Sequence, residues 1–141
     1  MRNTLVVDTS VVYAALDRTD DAHVACVALL SSGPAVSLSA PVIVETALLA
    51  GRRGHTDAVL SLLDSVIDES VLVVQPDIED YARMRDLIDT YADLPLDIVD
   101  ASVVAIAERL EQDTIATLDR RHFSVVRPSH VPAFTLVPEL S

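Results

Sequence analysis

The stretch Thr4-Leu5-Val6-Val7-Asp8-Thr9-Ser10-Val11 runs three apolar residues straight into an acid. An unbroken apolar run of strand length, rather than an alternating one, marks a strand covered on both faces, as in a parallel sheet flanked by helices. The acid that ends it then stands at the carboxyl end of the strand, the edge where α/β folds build their sites. Working outward, short runs rich in β-branched residues recur at 35–39, 71–75 and 114–118, separated by longer segments of helical period. Helices are predicted over 10–16, 20–30, 41–50, 56–66, 77–91 and 98–110, with a late edge strand over 134–137. Boundary residues support them: Asp20 or Asp21 ahead of the second helix, Pro41 in the first turn of the third, Gly51 and Gly54 at its end, and Asp77 ahead of the fifth. Ile78, Tyr81, Met84, Leu87, Ile88 and Tyr91 are spaced to bury one face of that fifth helix. The pattern predicts an α/β fold, one domain over residues 1–141, with no internal repeat and no long linker.

Composition narrows the chemistry. Half of the 141 residues are apolar and only three are Gly, which excludes collagen-like and disordered classes. The longest apolar run, residues 24–30, is far too short to span a bilayer. Asp8 interrupts the N-terminal apolar stretch before it can act as a secretory signal, so the chain is expected in the cytoplasm, with no membrane partner. Cys26 is the single cysteine and reads as a small core residue, which rules out an internal disulfide and a cysteine-cluster zinc site. The net charge of −12 opposes loose binding to a polyanion. All ten basic residues are Arg, and the missing Lys removes the cation needed by a P-loop, a haloacid-dehalogenase phosphatase or a receiver domain. Gly33, Gly51 and Gly54 cannot make the glycine turn of a dinucleotide site.

Four acids stand where an ordinary core would not place them. Asp8 and Asp119 follow the first and fourth predicted strands, so they should share one edge of the sheet. Glu45 lies in a helix whose neighbours three and four residues away are Pro41, Val42, Leu48 and Leu49. Asp100 opens a helix that is nearly all apolar as far as Glu108. Singly, Asp8 and Asp100 also read as helix-end acids and Asp119 as the start of a turn. Together they demand a cation, because buried carboxylates raise one another's pKa. Mg²⁺ or Mn²⁺ suits such an oxygen site, and either ion can activate water and stabilise charge on a phosphodiester.

Val-Val-Asp8-Thr-Ser-Val, the isolated Glu45, Val-Asp100-Ala-Ser-Val-Val-Ala-Ile-Ala-Glu-Arg and Ala-Thr-Leu-Asp119-Arg-Arg-His-Phe together resemble a PIN-domain ribonuclease, in particular the VapC toxins of VapBC toxin–antitoxin pairs. The resemblance spans about residues 4–137. It implies a PIN-like three-layer α/β/α fold with a central, mainly parallel sheet of four to five strands. It implies Mg²⁺- or Mn²⁺-dependent endonucleolytic cleavage of RNA, leaving a 5′-phosphate and a 3′-hydroxyl. Asp8, Glu45, Asp100 and Asp119 would form the catalytic, metal-binding quartet, Glu45 binding metal or orienting water. Thr9, Ser10 and Thr117 would be neighbouring hydroxyls. Asp97 either faces the same cleft or caps the helix that begins near residue 98.

RNA would have to be held locally. Arg120, Arg121, His122, Arg127 and His130 lie beside Asp119, and Arg52, Arg53 and His55 follow the Glu45 helix; each is a candidate phosphate contact or a partner of the many surface acids. Phe123 reads as a core plug rather than a base-stacking platform, and His23 as part of a core helix. The resemblance further implies a cognate VapB-type antitoxin bound in apolar grooves and a homodimer, so the apolar faces of the helices at 20–30 and 56–66 are interface or core. Two other readings stand beside this one: a catalytically silent PIN-like module that only binds protein, and a metal-dependent phosphatase.

Overall fold

A computed structural model describes residues 3–139. Five parallel strands form one sheet in the order β3-β2-β1-β4-β5: β1 (Thr4–Val7), β2 (Ala35–Ser39), β3 (Val71–Val74), β4 (Thr114–Ala116) and β5 (Thr135–Val137). Seven helices connect and flank them: α1 (Thr9–Leu16), α2 (His23–Leu30), α3 (Ala40–Arg52), α4 (Thr56–Ile67), α5 (Ile78–Thr90), α6 (Ile98–Arg109) and α7 (Arg120–Val125). The fold class is the one expected.

Burial explains the order. Leu5, Val6 and Val7 are buried, and β1 sits centrally between β2 and β4, pairing Leu5 with Val36 and Val6 with Ile115. The chain builds the sheet outward from β1 to β3 on one side, then returns to place β4 on β1's other side. That reversal opens a crevice at the carboxyl ends of β1 and β4, the usual location of a ligand site in an open α/β sheet. α6 is buried from Asp100 through Ala107 because it meets α5, α3, β1 and β2, which is why its sequence is apolar all round. Gly54 turns the chain between α3 and α4 at φ 75°, a left-handed conformation that suits Gly.

Several boundaries differ from the sequence reading. The second helix starts at His23, with the Asp20 carboxylate accepting Ala22 N–H in a turn, so neither Asp20 nor Asp21 is its cap. The fourth strand ends at Ala116 rather than residue 118, because Leu118 N–H is taken by the Ser10 hydroxyl and the chain leaves the sheet. Asp119 therefore does not follow the strand directly; it caps α7, a helix the sequence reading did not contain. On α5 the buried stripe is Asp80, Met84 and Leu87, whereas Ile78 is 83% and Tyr81 50% exposed. Asp80 rotates the helix inward because it completes a reciprocal capping box with Asp77 and pairs with Arg109 on α6 at 2.9 Å. Among the described residues, no helix is long and apolar enough to cross a membrane.

Candidate active site

The site is assembled from three backbone devices. Asp8 ends β1, and its carboxylate makes no cap bond to α1, which leaves it free for another role. Asp97 caps α6 by accepting Asp100 N–H at 2.8 Å, which sets Asp100 in the first turn with the Asp97 charge beside it. Ser39 caps α3, and its hydroxyl lies 2.8 Å from that of Ser102, a buried contact that ties the Glu45 helix to the Asp100 helix. The sequence reading did not single out these serines.

Asp8 is gripped by hydroxyls. Thr117 Oγ1 donates to its Oδ2 at 3.0 Å and Ser10 Oγ at 3.1 Å, while Thr117 Oγ1 in turn accepts Asp119 N–H at 2.9 Å. Burial pushes the Asp8 carboxyl above its ordinary value, the hydrogen bonds from the Thr117 hydroxyl, the Thr9 backbone N–H and the Ser10 hydroxyl oppose this, and the charge of Glu45 adds to the rise. Asp100 is buried too and is pushed up to about 7, first by desolvation and then by the charges of Asp97 and Asp8, against the attraction of His122.

His122 stands between Asp100 and Asp119. Its Nδ1 lies 2.9 Å from Asp100 Oδ2 and 3.1 Å from Asp119 Oδ2. One ligand atom each from Asp100, Asp119 and His122 lie within 4.8 Å of one another, a group able to hold a metal ion. The sequence placed His122 among phosphate contacts; its spacing three residues after Asp119, on one helix face once α7 is known, is the signal that would have placed it here. Glu45 is half-buried on α3 and has no ion pair or hydrogen bond among the described residues; Val44 and Leu48 beside it are exposed, so this face is not purely core.

The basic candidates divide. Arg120 reaches back with Nη2 to the carbonyls of Leu136 and Pro138, and Arg121 Nη2 lies 3.5 Å from Leu94 O. Arg53 lies over the Tyr13 ring, 4.7 Å from its centroid, and His55 Nδ1 is 3.0 Å from Tyr13 Oη, so both belong to a cluster at the far ends of α1 and α3. Arg52 and Arg127 are exposed. His130 Nε2 contacts Gln112 O at 2.7 Å. Phe123 is fully buried, as expected of a core plug.

The donor set fits a hard or borderline divalent cation. Two desolvated carboxylates with raised affinity for protons face each other's charge, and Thr9 Oγ1, next to Asp8, is buried with no hydrogen-bond partner among the described residues.

Residues 5–127 match the family model of the PIN domain. The chain belongs to the PIN-domain family. Within it the chain is similar to the VapC proteins: Ribonuclease VapC26 of Mycobacterium tuberculosis (strain ATCC 25618 / H37Rv) is 31% identical over 135 residues, covering 95% of this chain and all of the relative. Among solved structures, Mycobacterium tuberculosis VapC20, described as a sarcin-ricin loop cleaving toxin, aligns with a TM-score of 0.77 at 21% identity over 83% of this chain and 91% of its own. A chain of DNA-bound VapBC from Salmonella typhimurium aligns with a TM-score of 0.67 at 14% identity, over 97% and 98%. These structures share the fold found here.

Proposed function

We propose that the chain is the toxin of a VapBC pair, a metal-dependent endoribonuclease working through Asp8, Glu45, Asp100 and Asp119. The observation that carries this reading is the state of Asp8. A buried carboxylate at the topological switch point, uninvolved in capping its own helix and held by the hydroxyls of Thr117 and Ser10, faces the charges of Asp100 and Glu45. Structure alone gives no reason to collect that much like charge in one crevice. Asp8, Asp100 and Asp119, with Glu45, would hold Mg²⁺ or Mn²⁺, which when bound supplies Lewis acidity and a water of lowered pKa.

The chain's own residues do the positioning. Thr117 links Asp8 to the backbone of Asp119 and so fixes two acids from distant segments relative to each other. Asp97 fixes the first turn of α6 and with it the direction of Asp100. Thr9 Oγ1, buried beside Asp8 with no hydrogen-bond partner among the described residues, would turn to a bound water or a phosphate oxygen. Arg127 and Arg121 are the exposed cations nearest in sequence to Asp119 and are the proposed phosphate contacts, with Arg52 more remote.

The cognate antitoxin would cover apolar surface. α2 leaves Val24 and Val27 exposed, and α4 leaves Leu60, Leu63 and Ile67 exposed, next to a shallow apolar groove of about 80 Å³ lined by Leu16, Leu30 and Leu62. Contiguous exposed apolar side chains mark interaction surface, and a homodimer would draw on the same helices. The resemblance to VapBC complexes supports this partner.

The test is cleavage of a total-RNA pool by purified chain with Mg²⁺, with Mn²⁺ and with EDTA, mapping new 5′ ends. Cuts that need the metal and vanish in Asp8→Asn are expected. A folded, partner-free chain that cuts nothing, while binding a protein partner tightly, would transfer the weight to a silent binding module.

A further inference from the structure

We propose that His122 is itself a metal ligand, through Nδ1, alongside Asp100 and Asp119, and that this imidazole makes the site favour Mn²⁺ over Mg²⁺. The inference rests on the metal-dependent reading above and goes beyond an all-carboxylate site.

Geometry carries it. Neighbouring ligands of an octahedral ion bound at about 2.1 Å are separated by about 3.0 Å. The Nδ1 of His122 is in hydrogen-bonding contact with Asp100 Oδ2 at 2.9 Å and lies 3.1 Å from Asp119 Oδ2, the three ligand atoms lying within 4.8 Å of one another; a bound ion would take the place of the proton that Nδ1 shares with these carboxylates, at separations close to those of neighbouring ligands. The imidazole is also held in place. Asp119 caps α7 by accepting His122 N–H, and the adjacent Phe123 is fully buried, so the short helix is anchored at the point where His122 leaves it.

The flanking cations do not compete for this role. Arg120 is turned to the carbonyls of Leu136 and Pro138, and Arg121 lies against Leu94 O, so neither guanidinium answers the carboxylates that His122 contacts. Of the two ring nitrogens it is Nδ1 that faces the acids, with Nε2 on the opposite side of the ring. Imidazole nitrogen suits borderline first-row metals, whereas Mg²⁺ prefers oxygen and gives up its water reluctantly.

The experiment uses the purified, partner-free full chain loaded with Mn²⁺ alone and read by electron spin-echo envelope modulation, which detects a directly coordinated nitrogen. The expected result is a ¹⁴N coupling that converts to ¹⁵N when the chain carries ¹⁵N-histidine. His122→Gln should lose the coupling and bind Mn²⁺ about tenfold or more weakly, with a smaller change for Mg²⁺. His23 Nδ1 contacts Ala14 O, His55 Nδ1 contacts Tyr13 and His130 Nε2 contacts Gln112 O, so a coupled nitrogen reports His122. Tightly bound Mn²⁺ with no nitrogen coupling in the unmutated chain overturns the inference and leaves the nuclease reading intact; the labelled chain decides this even where His122→Gln does not fold. Failure of the unmutated chain to bind Mn²⁺ at all overturns both.

Discussion

The Asp97 carboxylate accepts the backbone N–H of Asp100 at 2.8 Å, so the residue that starts α6 also sets a negative charge beside the acid it positions. Capping and electrostatics are thereby coupled. Asparagine caps a helix about as well as aspartate. Asp97→Asn should therefore keep the thermal stability of the metal-free chain within a few degrees and lower the Asp100 pKa, since that neighbouring charge is removed. Carboxyl ¹³C titration by NMR checks it; an unmoved Asp100 would mean that the Asp97 charge contributes nothing to its value.

The raised Asp100 pKa has a sign in stability. In the window between about pH 4 and pH 7 the folded chain holds a proton that the unfolded chain has released, so metal-free stability should fall as pH rises and level off above about 7. One such group gives a slope of at most about 1.4 kcal/mol per pH unit. Urea unfolding in EDTA across pH 5 to 8 should show a shallower fall for Asp100→Asn than for the unmutated chain. Parallel curves would remove Asp100 as the source.

Neutralising Asp8 or Asp100 separates function from fold. Each asparagine variant should lose RNA cleavage by about a thousandfold or more, the scale of several kcal/mol of lost metal-assisted stabilisation. Without metal, each should melt at the same temperature as the unmutated chain or higher, because repulsion among the acids is relieved. A large drop in the melting temperature would assign that aspartate a structural role.

Thr117→Val keeps shape while deleting a hydroxyl that donates to Asp8 and accepts Asp119 N–H. Leaving buried polar groups unpaired costs about 1–3 kcal/mol. The variant should unfold earlier in urea by that amount and bind Mn²⁺ more weakly, by calorimetric titration. Unchanged Mn²⁺ affinity would show that Asp8 and Asp119 hold their places without the hydroxyl.

Arg83 and Glu108 supply the control far from the chemistry. Arg83 Nε and Nη2 donate to the two Glu108 oxygens at 2.8 and 2.9 Å, and Glu108 also accepts Ser129 N–H at 2.7 Å. Arg83→Ala strands a largely buried carboxylate and should destabilise by about 3 kcal/mol. Mn²⁺ affinity should stay unchanged; a loss of metal binding equal to that of Asp100→Asn would show that α5 and α6 transmit to the site.

Much of this was legible in the residues because the deciding signals are local. A three-residue apolar run ending in Asp8 carries its own evidence for a covered strand, and Asp77 or Asp97 ahead of a periodic segment marks a helix start. Asp100 stood out in the sequence for the complementary reason that it contradicts its apolar surroundings, and the fold buries it; Glu45 stood out likewise but is only half-buried, with Val44 and Leu48 exposed beside it. What escaped depends on contacts across the fold. The fourth strand stops at Ala116 because Ser10, over a hundred residues earlier, takes the next amide but one, and α5 turns Ile78 outward because Arg109 claims Asp80. The role of His122 was hidden with α7, since a six-residue helix has too little period to announce itself.

The order of the strands also sets a schedule. Asp8 and Thr117 are 109 positions apart, and β4 and α7 come late in the chain. Translation delivers Asp8, Glu45 and Asp100 before Asp119 and His122. A chain stalled just short of β4 carries Asp8, Glu45 and Asp100 but lacks Asp119 and His122, and its β1 lacks one of its two neighbours. Asp8 in such a chain also lacks the Thr117 hydroxyl, so the acid at the carboxyl end of β1 takes up its observed setting only once β4 has paired beside it.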